Sequence, residues 1–533
     1  MVRWGDVRHW NAGAIGGVAD ALNQRCTTLI ATNDDVESAL VREGWLGNAA
    51  VAAGQRARSL ISGLEQRVAE ASAVRRAAHE VQLAVERITS FVHETDELAR
   101  VNGWSIGADG AIVLAPTAGP PPPPDIIARQ NQVKIELLDR IEQLLRRAND
   151  VDTDFAAILT RAMRGEITEQ DATSLAQAAD AGGRQSGLSI IGPPEGGTPG
   201  DNKAWWATLS DTAKGVILRD NPDLVRNLDG IPIVDRDAAN RAVLQREIGR
   251  LAAAQAKGDD VAGKLEGLRA IEARLNSSSV GQPQAFLIGL DASGDGQAIV
   301  SAGNPDTATN VATYVPGTGS ELATIGEEIN RSDKMLQAAA RAGSPSTAVI
   351  TWIGYDAPDH LDNAVSGSYA DNAKASLQGF QDGLRATHEG APSHTTVLGH
   401  SYGTTVIGHA ASNGGLNANE IVFVASPGVG AESAGSLHLG GVAQSDIGQH
   451  VHSTVAEHDI IRLSNLEIDG EDLVHGPDPA AHDFGGQVFS SAPGTAGSVF
   501  LDGLCEKAHS EYWEANNPAL RNFGLIIAGR PAT

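Results

Sequence analysis

From residue 285 onward, short apolar runs bounded by Gly, Pro and Asp alternate with longer helix-compatible stretches, and few architectures accommodate that alternation. The apolar runs fall at 285–290, 297–301, 310–315, 347–353, 395–398, 421–425 and 450–455, with helical stretches such as 319–342 and 372–385 between several of them. The first two flank Ser293-Gly294-Asp295-Gly296, a turn sequence, and read as an antiparallel pair. The later ones need helical crossovers. The pattern predicts a mostly parallel sheet with helices on both faces, an arrangement whose sites lie beyond the carboxyl ends of the strands.

At one such end stands Gly399-His400-Ser401-Tyr402-Gly403, between the apolar run 395–398 and a helix-compatible stretch. A sharp strand-to-helix turn strains its central residue, so small residues two positions before and after it avoid clashes. The pattern alone is weak: with 60 Gly in 533 residues, a chain of this length holds on the order of 0.4 matches by chance. A second match, Gly103-Trp104-Ser105-Ile106-Gly107, follows a polar helix-like segment and leads into a turn, so Ser105 is assigned to a hairpin. Ser401 is the candidate nucleophile.

A serine hydroxyl needs an imidazole to take its proton and a carboxylate to hold that imidazole in one tautomer. After a strand-end serine of this kind the acid precedes the histidine in the chain. Asp459 lies just past the run 450–455 and is the candidate acid, ahead of Asp446, Asp472 and Asp483, none of which directly follows a comparable strand. His509, near the end of the sequence, is the candidate base; His475 and His482 sit in a Gly/Pro/Asp-rich excursion. Oxyanion donors are expected from the backbone of Tyr402 and from Gly317 or Thr318 in the glycine-rich loop after the run 310–315. Candidate lids are 358–370 and 463–498.

His450 and His452, with His458 and Asp459 nearby, match no familiar zinc spacing, so no metal is expected. Gly317-Thr318-Gly319-Ser320 lacks the Gly-Lys-Ser/Thr ending of a phosphate loop, so no nucleotide and no other cofactor is expected. The formal net charge of −26 argues against nucleic acid and anionic membrane surfaces as partners. Two cysteines, Cys26 and Cys505, make no disulfide framework. No apolar run reaches membrane-spanning length, and residues 1–21 lack the features of a standard secretory signal. Location is left open between the cytoplasm and export by a route that uses a folded helical signal.

Before residue 285 the texture is helical. Ile15, Val18, Leu22, Cys26, Leu29, Val36 and Leu40 recur at helical spacing, as do Leu60, Leu64, Val68, Ala71, Ala78, Val81, Val85, Ile88 and Val92. Gly44-Trp45-Leu46-Gly47 supplies the reversal between the two runs. With Trp45 and Gly47 on the defining positions, the pair resembles the WXG-type helical hairpins exported by type VII secretion, which implies a helical protein partner. The usual export motif of that family needs a Tyr four residues before an acid, and the first Tyr here is Tyr314. A small hairpin is expected at 103–116, further helices within 125–185 and 235–275, and breaks at the proline run 120–124 and at 192–202. The expected domains are a helical hairpin with a small β-hairpin (1–118), a Pro-rich linker with a helical segment (119–200), and a catalytic domain (201–533).

The chain from about residue 200 resembles an actinobacterial α/β-hydrolase family long carried as a domain of unknown function. The matching segments are Trp205-Trp206 with Leu209, Asn227-Leu228-Asp229-Gly230-Ile231-Pro232 with Arg236-Asp237 and Asn240, Val315-Pro316-Gly317-Thr318-Gly319, Gly354-Tyr355-Asp356-Ala357-Pro358, the 399–403 turn and His509-Ser510. The resemblance implies an α/β-hydrolase fold behind an all-α N-terminal region, and Ser401, Asp459 and His509 as the triad. The expected activity is carboxylic ester hydrolysis through an acyl-enzyme, on a small-molecule or lipid-like ester. The alternative is a secretion-associated helical module whose hydrolase-like domain only binds partners.

Overall fold

The computed structural model describes residues 2–40, 47–115, 123–170, 172–186, 192–277, 282–360, 363–464, 467–468, 471–472, 475–498 and 503–533. The chain divides into two compact units, Met1–Gly215 and Val216–Thr533.

The first unit is built on long helices: α1 (Ala12–Leu40), α2 (Asn48–Val101), α3 (Pro124–Met163) and α4 (Leu175–Arg184). Gly47, at φ +115, starts α2 in a conformation that glycine tolerates best. Trp45, on which the WXG-type likeness turns, lies outside the described residues. The expected apolar stripes are only partly buried. Val68, Val81, Val85, Ile88 and Val92 are in the core, whereas Val18 is 49% and Leu60 is 54% exposed. The reason lies in what covers α2. Leu137, Ile141 and Leu144 of α3 pack on its 81–99 stretch, and Gly182 of α4 packs so tightly on Ala69 that a Cβ would stand 2.0 Å from the Ala69 carbonyl oxygen. Leu60 precedes both contacts. The small hairpin pairs Trp104–Ile106 with Ile112–Leu114, and Ser105 Oγ donates to the Val113 carbonyl at 3.3 Å, so this serine is a hairpin residue.

The second unit is a twisted eight-stranded sheet: β1 (Ala285–Asp291), β2 (Gln297–Ala302), β3 (Asn310–Val315), β4 (Thr347–Ile353), β5 (His394–His400), β6 (Glu420–Val424), β7 (Val451–Thr454) and β8 (Gln487–Val488). Spatial order is β8-β7-β6-β5-β3-β4-β2-β1. β2 runs antiparallel to both its neighbours; all other pairs are parallel. Side-chain alternation along the strands sends Val397 to one face and Leu398 to the other. On the first face Val311, Ile350, Val397 and Ile421 meet α9 (Ser368–Thr387) and α10 (Tyr402–Ser412). On the second, Tyr314, Leu398 and Val422 meet α8 (Ile325–Arg341) and α11 (Pro518–Ile527). Both faces of the sheet are covered, which is why its strands read as continuous apolar runs.

Two expectations shift. The last long strand begins at Val451, with His450 closing the short helix Ile447–His450. The 463–498 excursion, expected as loop, contributes β8, which pairs parallel with β7. A two-residue strand has no periodicity to detect.

The register aligns the carboxyl ends of the central strands, with Val315 opposite Gly399 and Val424 opposite both His400 and Thr454. Beyond this edge, α7 (Ala262–Asn276) presses Gly267 against the turn after β3, where a Cβ would lie 1.8 Å from the Leu322 carbonyl oxygen. Helix propensity alone favours Ala over Gly by about 1 kcal/mol; steric overlap with a backbone oxygen costs about 1–3 kcal/mol. Gly267→Ala is therefore expected to lower the thermal midpoint measured by calorimetry, and a rise would refute the close contact.

Candidate active site

Ser401 occupies the turn between β5 and α10 with φ +54 and ψ −130, one of three non-glycine residues at positive φ among the described residues. Such a backbone costs on the order of 1–3 kcal/mol and needs its surroundings to hold it. They do so from both sides. Ser401 N–H donates to the Val424 carbonyl at 3.0 Å, and its own carbonyl accepts from Thr404 N–H at 2.9 Å and Thr404 Oγ1 at 2.7 Å. A Cβ on Gly399 would stand 2.7 Å from Thr404 N, and one on Gly403 2.1 Å from the Val315 carbonyl oxygen. Both positions therefore require glycine.

Asp459 is fully buried and collects three donors. Ile461 N–H reaches Oδ1 at 2.9 Å, Tyr512 Oη reaches Oδ2 at 2.6 Å, and His509 Nδ1 lies 2.9 and 3.1 Å from the two oxygens. A carboxylate only accepts, so His509 carries its proton on Nδ1 and offers the Nε2 lone pair. Tyr512 Oη also accepts from Ala456 N–H at 2.8 Å, and Cys505 N–H donates to the His458 carbonyl at 2.8 Å. These bonds bind the 3₁₀ helix Lys507–Trp513 to the loop after β7.

His400, the residue before Ser401, joins the two halves. Its Nε2 donates to the His509 carbonyl at 2.8 Å, and the two rings lie 4.6 Å apart. Trp513 meets its ring edge-on at 5.1 Å. Ser401, His509 and Asp459 thus come together at one end of the sheet, while Ser401 Oγ makes no hydrogen bond to His509 among the described residues. The rivals lie elsewhere in the hydrogen-bond pattern. His475 Nε2 donates to the Ala364 carbonyl at 2.6 Å, His482 and Asp483 share the turn His482–Phe484, Asp446 ends the 3₁₀ turn before the helix Ile447–His450 without capping it through its side chain, and Asp472 belongs to the two-residue strand Glu471–Asp472. His450 and His452 both donate to the Glu420 carboxylate, at 3.1 and 2.9 Å.

The loop after β3 lies directly against this turn. A Cβ on Gly317 would stand 2.7 Å from Ser401 Cβ and 2.9 Å from Tyr402 N, so only glycine lets the loop come this near. Tyr355 Oη donates to the Pro316 carbonyl at 2.8 Å and Gly319 N–H to the Pro358 carbonyl at 2.8 Å, clamping it on the far side. Thr318 Oγ1 is buried without a hydrogen-bond partner among the described residues. Tyr402 begins α10, so its N–H has no intrahelical acceptor. Its phenol, pushed up to about 12 chiefly by burial, accepts from Ala370 N–H and donates to the Ser366 carbonyl. With His475 on the Ala364 carbonyl, these bonds fasten 364–370, a segment expected as a lid.

Sequence reasoning missed the roles of His400, Tyr512 and Tyr355, and the second strained residue, Ala425 at φ +53 after β6. His400 stands inside the G-x-S-x-G pattern, but at a position where that pattern accepts any residue.

A parallel sheet with a strained serine at a strand end and an Asp–His pair beside it defines an α/β-hydrolase. The comparisons agree: a family described as alpha/beta hydrolase matches residues 291–463, a range that includes Ser401 and Asp459 and ends before His509. An uncharacterized protein of Mycobacterium tuberculosis is 31% identical over 377 residues, covering 64% of this chain and 57% of its own length. An uncharacterized protein of Mycobacterium bovis is 30% identical over 238 residues, 40% of this chain and 86% of that protein. The chain thus spans little more than half the length of the first relative, at 57%, and most of the second, at 86%. Among solved structures, an esterase of Pyrobaculum calidifontis is 13% identical with a TM-score of 0.29, covering 54% of this chain and 97% of that one. The chain belongs to the α/β-hydrolase family and shares it with these mycobacterial relatives.

The buried His400 imidazole is held well below its ordinary value of 6.5, first by burial, then by the charges of His509 and Arg331. A histidine whose folded-state value is depressed stabilises the fold fully above its unfolded value, because the unfolded chain alone takes up a proton as pH falls. That contribution is lost on acidification below about 6.5. Urea midpoints for wild type and His400→Gln should converge as pH drops from about 7 to about 5; parallel curves would exclude a neutral buried His400.

Proposed function

We propose that this chain is a serine hydrolase that cleaves carboxylic esters through an acyl-enzyme on Ser401. In this reading His509 Nε2 takes the Ser401 proton as Oγ attacks the carbonyl carbon, and the same nitrogen returns it to the leaving alkoxide. Asp459 holds the Nδ1–H tautomer and stabilises the imidazolium. The N–H groups of Tyr402 and of Gly317 or Thr318 receive the negative charge that develops on the carbonyl oxygen. Water then repeats the cycle on the acyl-enzyme, again with His509 as base. No step calls for a cofactor.

The observation that supports this reading best is the Asp459–His509 hydrogen bond beside a serine held at φ +54. Strain at one residue and a buried carboxylate on one imidazole are each costly, and a shared location gives both a purpose. The Ser401–His509 contact closes with substrate in place, as such contacts do when the free enzyme leaves them long.

A fluorophosphonate probe should label wild type and not Ser401→Ala, and Asp459→Asn should lower kcat on a nitrophenyl ester by about 10³–10⁴-fold. Equal labelling of both proteins, or ester turnover that survives Ser401→Ala, would remove Ser401 from the mechanism. A folded wild type that neither labels nor turns over esters would favour a partner-binding domain without catalysis.

A further inference from the structure

Beside the proposed oxyanion loop, at the same end of the sheet, lies a cavity of about 680 Å³ that the triad does not use. Its walls are the β1–β2 turn, residues 319–321 and residues 355–360. Strand order puts it two to three strands from β5, or about 10–14 Å at the usual strand spacing, within reach of a substrate several bonds long.

The lining is strongly one-signed. Asp291, Asp295, Glu321, Asp356 and Asp359 contribute carboxylates, and no Lys or Arg lines the cavity among the described residues. Asp291 is already engaged by the N–H and hydroxyl of Ser293, with Arg226 nearby. The other four have less to balance them. Burial, then the negative fields of Asp295 and Asp359, raises the Glu321 carboxyl, and Lys264, which donates to the Gly294 carbonyl at 2.9 Å, is the one cation acting against that shift. His360 also faces the space.

A second feature is independent of the charges. Ser320 is only 7% exposed, lines the cavity, and its hydroxyl has no hydrogen-bond partner among the described residues. That hydroxyl is not among the buried unpaired atoms, so it opens onto the cavity with its donor and acceptor capacity free for whatever enters. The carboxylates themselves do not converge: no three His, Cys, Asp or Glu side chains among the described residues come together as metal ligands. Tyr355 also borders the cavity, but it is only 4% exposed and its ring is stacked on Trp352 at 5.9 Å. Negative charge that is spread over several carboxylates and does not converge suits a large, diffuse cation better than a small hard one.

We propose that this cavity receives an organic ammonium group of the substrate, so that the enzyme selects cationic esters. The assignment rests on the hydrolase reading of Ser401. Ammonium binding here would seat the ester with its carbonyl toward the 317–318 loop, and Ser320 would accept or donate to the polar atoms next to the charge.

The acetate ester of 8-trimethylammonio-octanol and its neutral carbon isostere vary the charge on the alcohol side; the nitrophenyl ester of 10-trimethylammonio-decanoate and its carbon isostere vary it on the acyl side, and both chains are long enough to span the distance from β5 to the cavity. In at least one pair, kcat/KM for the cation should exceed that for the isostere by about tenfold or more at low salt and fall with ionic strength. Asp356→Asn/Asp359→Asn should abolish the preference, while Asp446→Asn, an exposed carboxylate outside this lining, should keep it. Ser401-dependent turnover that favours the neutral ester or is equal in both pairs would overturn the cation site and leave the hydrolase reading standing. If no ester shows Ser401-dependent turnover, that reading falls, and saturation-transfer NMR on choline decides the cavity. Choline signal lost in the double variant sustains the site; no signal with wild type overturns it.

Discussion

A side chain on Gly403 would have its Cβ 2.1 Å from the Val315 carbonyl oxygen, and much of the site depends on the absence of that side chain. Because β3 and the first turn of α10 touch backbone to backbone, the loop that leaves Val315 passes directly over Ser401. Gly317 continues the contact, coming as near to Ser401 Cβ and Tyr402 N as a residue without a side chain can. The strain at Ser401 is therefore not an isolated cost. It is the local result of pressing two strand ends and a helix start into one place, and the bonds from Val424 and Thr404 fix it there.

The second half of the site is built away from the sheet and brought to it. Asp459 and His509 are 50 residues apart in sequence, and what joins them is Tyr512, whose hydroxyl serves both the Asp459 carboxylate and the Ala456 N–H. Trp513, next in the chain, packs on Tyr314 at 5.5 Å and on Phe523 at 5.7 Å, so the histidine segment is anchored in the hydrophobic face beneath it. His400 closes the arrangement by donating to the His509 carbonyl from the residue adjacent to the serine.

Strand–helix alternation made the sheet legible, because both its faces are covered and its strands are nearly unbroken apolar runs. β8 was illegible for the opposite reason: two residues cannot show a period, and pairing with β7 alone defines them. In the N-terminal helices, spacing identified α1 and α2 but overstated their buried stripe at Val18 and Leu60, since helical periodicity does not say how far along a helix its neighbours reach. Ser401, Asp459 and His509 could be nominated because chain order and strand ends constrain them. His400 and Tyr512 could not, because their roles are contacts across 109 and 53 residues that no local pattern encodes.

These contacts also say where freedom remains. The Ser401 backbone is held at its N–H and its carbonyl, Asp459 by three donors, and the His509 ring by Asp459 on one side and the His400 ring on another. The 364–370 segment is fastened by Tyr402 and His475, so it is poorly suited to swing as a lid. What is left unfixed, among the described residues, is the Ser401 hydroxyl, which rotates about a single bond. In the proposed mechanism, turning that hydroxyl toward His509 costs of order 0.5–1.5 kcal/mol even off a preferred rotamer. A site whose geometry is set by close backbone packing has little else to rearrange, so in the proposed reading discrimination among esters falls to the surfaces around the 316–320 loop.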